Sequence, residues 1–226
     1  MAVPNPVRLF HITAIANLAS ICQTHAVLSK NTGRALGIQY HNIAYQGAQG
    51  ARAGRTVPNP PGGFIHDYVP FYFAPRSPML MAIEGGRVPG CQWRQEDILH
   101  IETSVPHVTA NGVPFVFYDR NATLAHSQPY VNLADLGAVD WDLITEAPRL
   151  DGFCKYWNDR PSVPRYVDRM EKRQAEFLVP DRVPLAQCIR IGVIDNTKAN
   201  TVRAVLLGAG INLPVQVMTD WYFLGQ

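Results

Sequence analysis

Apolar and polar positions change period several times along the chain, and each change marks an element. Residues 9–12 read as a short strand tail. Beyond them Ile15, Leu18, Ile21 and Cys22 recur at helical spacing, with Thr13 placed to cap the helix. Residues 31–63 lose all periodicity and end in VPNPPGG, so they predict a long mobile segment holding at most a short helix near 47–53. An aromatic strand over 66–75 is closed by Pro75, and a helix over 76–86 is stopped by Gly85-Gly86. Strands are predicted at 98–105, 113–118, 174–180, 188–195 and 214–223. Between them lie short helices near 132–136 and 141–145, a charged helix over 165–173 and a longer one over 197–207.

Strands outnumber long helices and do not alternate with them. The expected class is therefore α+β, with a mostly antiparallel sheet rather than a doubly wound parallel one. No linker-like stretch interrupts the pattern, so the reading is one domain over 1–226.

Composition then removes whole classes of function. With 47% hydrophobic and 17% charged residues the chain is not intrinsically disordered. No apolar run approaches the ~20 residues that span a bilayer, and Pro4 and Pro6 stand where a leader would need an apolar stretch. A soluble cytoplasmic protein is expected. Cys22, Cys91, Cys154 and Cys188 are too dispersed for a zinc or redox pair, so no metal is expected.

The charge layout adds something new. No acid occurs before Asp67, while Arg8, Lys30, Arg34, Arg52 and Arg55 do, along with His11, His25, His41 and His66. An acid-free opening third without a dense basic run suits a defined phosphate-binding groove better than a nonspecific nucleic-acid coat. Rossmann, P-loop, zincin and α/β-hydrolase motifs are absent.

Three unusual settings remain. Glu176 opens the apolar run FLV, where an unpaired carboxylate is costly if buried; it is exposed, paired with Arg173 or Lys172, or functional. His11 and Thr13 make a His-x-Thr at a strand-to-helix turn, readable as a ligand site or as a capped turn with a packed histidine. HDYVPFYFAPRSPM (66–79) packs four aromatics, three prolines and Arg76 together. Arg76 is either an anion contact at a helix start or the ion-pair partner of Glu84 or Asp67.

Taken in order, FHITAIANL (10–18), IAYQGAQGARAGRTV (43–57), HDYVPFYFAPRSPM, FVFYDRNA (115–122), RQAEFLV (173–179) and the terminal WYF (221–223) resemble the DarT family. These are NAD-dependent DNA ADP-ribosyltransferase toxins of bacterial toxin–antitoxin pairs. The resemblance implies an ADP-ribosyltransferase fold, a split antiparallel sheet with flanking helices and NAD+ held in the cleft as co-substrate. It also implies transfer of ADP-ribose to a base of single-stranded DNA, most closely thymine, and a macrodomain antitoxin as partner. By the same resemblance Glu176 is the catalytic carboxylate, and Arg52, with Arg55 as the alternative, is the catalytic arginine. His11, Thr13, Asn17, Tyr72 and Arg76 are assigned to NAD+, and Tyr68, Tyr72 and Phe73 are candidates to stack on nicotinamide or line the cleft. Two other outcomes stay open: a noncatalytic single-stranded nucleic-acid-binding domain on this fold, and the same chemistry on RNA or protein.

Overall fold

The computed structural model describes residues 2–224. Its strands are β1 (Arg8–Ala14), β2 (Ala26–Leu28), β3 (Tyr68–Tyr72), β4 (Ile98–Ser104), β5 (Val116–Tyr118), β6 (Pro129–Tyr130), β7 (Arg149–Leu150), β8 (Phe153–Cys154), β9 (Glu176–Pro180), β10 (Arg182–Pro184), β11 (Arg190–Val193) and β12 (Val215–Val217). The α-helices are α1 (Leu18–Thr24), α2 (Lys30–Ala35), α3 (Gln46–Gly54), α4 (Pro78–Glu84), α5 (Val105–Val108), α6 (Trp141–Ile144), α7 (Arg169–Lys172) and α8 (Asn196–Gly208). Eight strands form one sheet in the order β12-β11-β4-β1-β3-β9-β5-β6, while β10 pairs with β2 and β7 with β8. Every pairing is antiparallel except β11 with β12.

The sheet is split between β1 and β3. β1 pairs with β4 along its whole length, yet meets β3 only at Phe10↔Tyr72. Pro70 explains the gap. Its carbonyl points toward β1, where it accepts from His11 Nδ1 at 2.9 Å, and it has no N–H to donate on that side. The two strands diverge there and leave a cleft.

Alternation along β9 decides what faces that cleft. Phe177 stacks on Phe117 at 6.2 Å and joins Phe71 and Phe73 in the main core. Its neighbours Glu176 and Leu178 therefore point to the other face. There Leu178 packs with Tyr68, Val116 and Tyr118 in a smaller cluster under Val57 and Ile65.

Several sequence expectations change here. The short helix expected near 47–53 is α3, but the region 31–63 is not otherwise a long loop, because most of α2 lies within it as well. α3 buries none of its residues; polar contacts from Lys30 Nζ to Gln49 and from Arg52 to Glu176 hold it. Thr13 caps nothing: its hydroxyl accepts from Asn17 Nδ2, and α1 has no side-chain cap. The helix expected over 165–173 is a 3-10 turn at Pro164–Tyr166 followed by the single turn α7, since Arg169 and Arg173 turn inward to bond the 154–158 loop. The strand expected over 214–223 stops at Val217, and the chain then folds back to bury Trp221 against Gly192. β4 is buried along its whole length, as befits a strand inside the sheet.

Candidate active site

Two cavities of about 240 and 260 Å³ open on the split, and His11, Ile12, Ala44, Gln49, Arg52, Pro70 and Met79 line both. They are lobes of one cleft, with α3 between them. Thr13, Asn17, Lys30, His41 and His66 line the first lobe. Tyr72, Asn121, Thr123, Gln174 and Glu176 line the second.

Glu176 lies at the first residue of β9, directly opposite Tyr72 of β3 and Tyr118 of β5. Its side chain is 3% exposed. Oε1 accepts from the backbone N–H of Ala122 at 2.8 Å and from Arg52 Nη1 at 3.1 Å, and Oε2 lies 3.0 Å from that same nitrogen. A buried carboxylate held this way keeps a fixed orientation. Neither Arg173 nor Lys172 is its partner: Arg173 bonds the carbonyls of Cys154 and Tyr156, and Lys172 pairs with Asp140 and Asp168. Arg55 reaches the carbonyl of Leu124 instead, so the arginine on the carboxylate is Arg52.

Both tyrosines beside Glu176 have their phenol pKa raised, chiefly by burial, with the carboxylate adding to the effect. They stay neutral donors at any physiological pH. The buried hydroxyl of Tyr118 has no partner among the described residues.

In the first lobe, burial lowers the His11 pKa, and the bond from Nδ1 to Pro70 only partly offsets this. His11 is thus a neutral imidazole with its hydrogen on Nδ1. His66 is pushed down to about 4 by burial and by Lys30, Arg52 and Arg34, and its buried Nε2 has no partner among the described residues. Those three cations make this wall electropositive, as the acid-free opening third of the sequence suggested.

The other assigned residues divide. Asn17 lines the first lobe, but its amide is engaged internally: Nδ2 donates to Thr13 Oγ1 and to the His41 carbonyl, both at 2.9 Å, and Oδ1 accepts from His41 N–H at 2.7 Å. It positions the 41–44 segment. Tyr68 and Tyr72 line the cleft, whereas Phe73 is buried in the main core. Arg76 does not reach the cleft. Ser77 caps α4 through Leu80 N–H, and Arg76 turns inward to the carbonyls of Lys155 and Asp220, with neither Glu84 nor Asp67 as partner. No motif-by-motif reading assigned a role to His66, Gln49, Met79, Tyr118 or the Ala122 N–H, although HDYV and FVFYDRNA contain three of them. A backbone donor carries no side-chain signal at all.

The residues suit a dinucleotide. The first lobe offers cations and an unpartnered buried imidazole nitrogen, and the second offers a fixed carboxylate beside neutral phenols. No group of three or more His, Cys, Asp or Glu among the described residues is arranged to hold a metal ion.

Comparison with known proteins gives the same direction. Residues 10–223 match the family described as "ssDNA thymidine ADP-ribosyltransferase, DarT". A DNA ADP-ribosyl transferase from Thermus sp. (strain 2.9) is 37% identical over 97% of this chain and 98% of its own length. The solved Thermus sp. 2.9 DarT in complex with ADP-ribosylated ssDNA superposes with a TM-score of 0.86 at 37% identity, covering 99% of both chains. The complex of that protein with NAD+ gives 0.82 at 35% identity, covering 98% of this chain and all of the other. The chain therefore belongs to the DarT family of single-stranded-DNA thymidine ADP-ribosyltransferases.

Proposed function

We propose that this protein transfers ADP-ribose from NAD+ onto thymine in single-stranded DNA, with Glu176 and Arg52 as its catalytic pair. The observation that carries this reading is the buried Glu176 carboxylate, gripped by Arg52 and the Ala122 N–H at the inner end of a two-lobed electropositive cleft. NAD+ supplies the ADP-ribose, and the bond to nicotinamide breaks with its electron pair leaving on nicotinamide. A fixed carboxylate stabilises the positive character that grows on the ribose. Thymine's ring nitrogen attacks only as its proton leaves, and Glu176 is the base at hand. Arg52 holds that carboxylate in place and, once the proton has moved, offers its cation to the anionic base. His11 and Thr13 serve the cofactor side of the cleft, and Asn17 serves it indirectly by holding residues 41–44.

Single-stranded DNA presents its bases unpaired, so less energy is needed to turn one into the site than in a duplex. The family context makes a toxin acting in the cytoplasm the expected biology, as a single domain, with a macrodomain antitoxin that removes ADP-ribose as partner. No helix among the described residues is long and apolar enough to cross a membrane.

Nicotinamide release tests the reading against its competitors. Full-length protein with NAD+ should release nicotinamide far faster with single-stranded DNA than with RNA of matched sequence or with protein. Equal stimulation by RNA or protein would move the substrate, and no release with any acceptor would leave a binding domain.

A further inference from the structure

Away from the cleft, three arginines are buried side by side. Arg76, Arg169 and Arg173 are each no more than 3% exposed, and each holds carbonyls of the loop at 154–158. Arg76 Nη1 donates to Lys155 at 2.8 Å, Arg173 Nη1 to Cys154 at 3.1 Å and Tyr156 at 3.3 Å, and Arg169 Nη1 to Asn158 at 3.4 Å. These bonds leave much donor capacity over. Arg76 Nη2, Arg169 Nε, and both Nε and Nη2 of Arg173 are buried with no partner among the described residues, as is the indole Nε1 of Trp157. Unpartnered buried donors on cations are among the costliest groups a fold can carry.

Counter-charge is short as well. Glu146 meets Arg169 Nη2 at 3.4 Å, but it also accepts from Tyr166 and pairs with Arg165. The Arg173 pKa is lowered to about 10, first by burial and then by its cationic neighbours Arg76 and Arg169, with Cys154 acting the other way.

A cavity of about 190 Å³ lies beside this cluster, and Arg169 is the one of the three that lines it. Arg169 and Trp157 line it directly, and Arg173 and Arg76 stand behind two of its walls, 5.0 Å from the Trp157 ring centre and 5.7 Å from that of Phe223. Lys155 and Arg160 are at the rim, where Arg160 lies 5.6 Å over the exposed Tyr156 ring. The one acid in the lining, Asp159, is already accepting from Met170 N–H at 2.8 Å. Met81 of α4 faces this cavity while Pro78, Met79 and Ala82 of the same helix face the catalytic cleft, so the two sites lie on opposite sides of α4.

We propose that this cavity binds a phosphate-class oxyanion, held by Arg169 and the rim cations Lys155 and Arg160, with Arg76 and Arg173 adding positive charge from behind its aromatic walls. Such an ion supplies several acceptors at once, which suits guanidinium and ammonium groups that converge on one cavity. Two sources share that chemistry: free phosphate, and a phosphodiester of the DNA strand, for which the exposed Tyr156 ring beside Arg160 would be a stacking platform.

Inorganic phosphate is the probe. The full-length protein is titrated with it at constant ionic strength and pH, chloride being the balancing anion, and followed by 31P line broadening and thermal unfolding. Wild type should broaden the phosphate signal and gain melting temperature. The rim double variant Lys155→Ala/Arg160→Ala, checked for fold by circular dichroism, should bind at least tenfold more weakly, while Lys30→Ala in the catalytic cleft should respond like wild type. An oligo-dA that displaces the phosphate would identify a strand phosphodiester as the occupant, and one that does not would identify free phosphate; either supports the site. No phosphate response in wild type, or a response lost in Lys30→Ala and kept in the rim variant, would overturn it.

Discussion

Glu176 and Arg52 are 124 positions apart in sequence and share a single contact nitrogen, and much of the account depends on that pair. Replacing Glu176 by Gln keeps the shape and the Ala122 contact but removes the charge and the base. The rate of transfer should fall by ~10²–10⁴, the range for losing a positioned acid–base group, with the circular dichroism spectrum unchanged. Arginine positions separate by the same logic. Arg52→Ala leaves a buried carboxylate with a backbone N–H alone and removes the cation offered to the anionic base, so it should lower kcat by roughly 10²-fold or more, the range for losing one charge-stabilising donor. Arg55→Ala removes one long bond to Leu124 and should cost less than tenfold. Initial rates of nicotinamide release on the two variants check this, and the opposite order would transfer the catalytic role to Arg55.

At the scale of elements, the cleft depends on segments that pack little. Residues 41–44 are tied to the turn before α1 by the two bonds of the Asn17 amide to the His41 backbone, beside the burial of Ile43 in the main core. Asn17→Ala should therefore raise the KM for NAD+ about tenfold, equivalent to ~1.4 kcal/mol, and change kcat much less; an unchanged KM would mean the segment is held by something else. The C-terminal turn shows the converse, an element fixed by dense packing. Trp221 is fully buried, edge-on to Phe10 with its ring 5.1 Å away, and its Nε1 donates to Asp151. It lies flat on β11 where Gly192 has no side chain, and a Cβ there would overlap the indole. Gly192→Ala should destabilise the protein by roughly 3 kcal/mol, at the upper end of ordinary overpacking, read as a lower urea midpoint at unchanged slope. This is the physical role of the terminal WYF.

Across the whole molecule, buried histidines set the response to acid. His100 is completely buried, with Nε2 against the Pro75 carbonyl and Nδ1 near Tyr222, and burial pushes it down to about 3. His66 is pushed down to about 4, and His11 also falls. A lowered histidine binds its proton in the unfolded chain first, so stability is complete above about pH 6.5 and is lost as pH falls below it. For His100 alone the loss at pH 5 is roughly 2 kcal/mol. Urea unfolding at pH 7, 6 and 5 should show a falling midpoint in a window where most carboxylates have not yet titrated; a flat profile would contradict these environments.

The sheet's class, most of its strands and the Glu176 carboxylate are legible in sequence, because strands such as β9 show as short apolar runs in which one carboxylate stands out. What was hidden shares a cause. α2 is a short polar turn, KNTGRA, the grip on Glu176 includes a backbone N–H, and the buried arginines near 154–173 look like surface charges until the loop that covers them is placed. Arg76 shares that cause: it immediately precedes α4, whose Pro78 and Met79 face the cleft, but its side chain turns to the Lys155 and Asp220 carbonyls on the opposite side.

One measurement tests the central claim most directly: the intact mass of a thymine-containing single-stranded oligonucleotide after incubation with NAD+, with wild type and Glu176→Gln run in parallel beside a thymine-free strand. The account predicts a gain of one ADP-ribose on the thymine-containing strand with wild type alone, while Glu176→Gln still binds NAD+. Equal modification by both proteins, or modification of the thymine-free strand only, would contradict it.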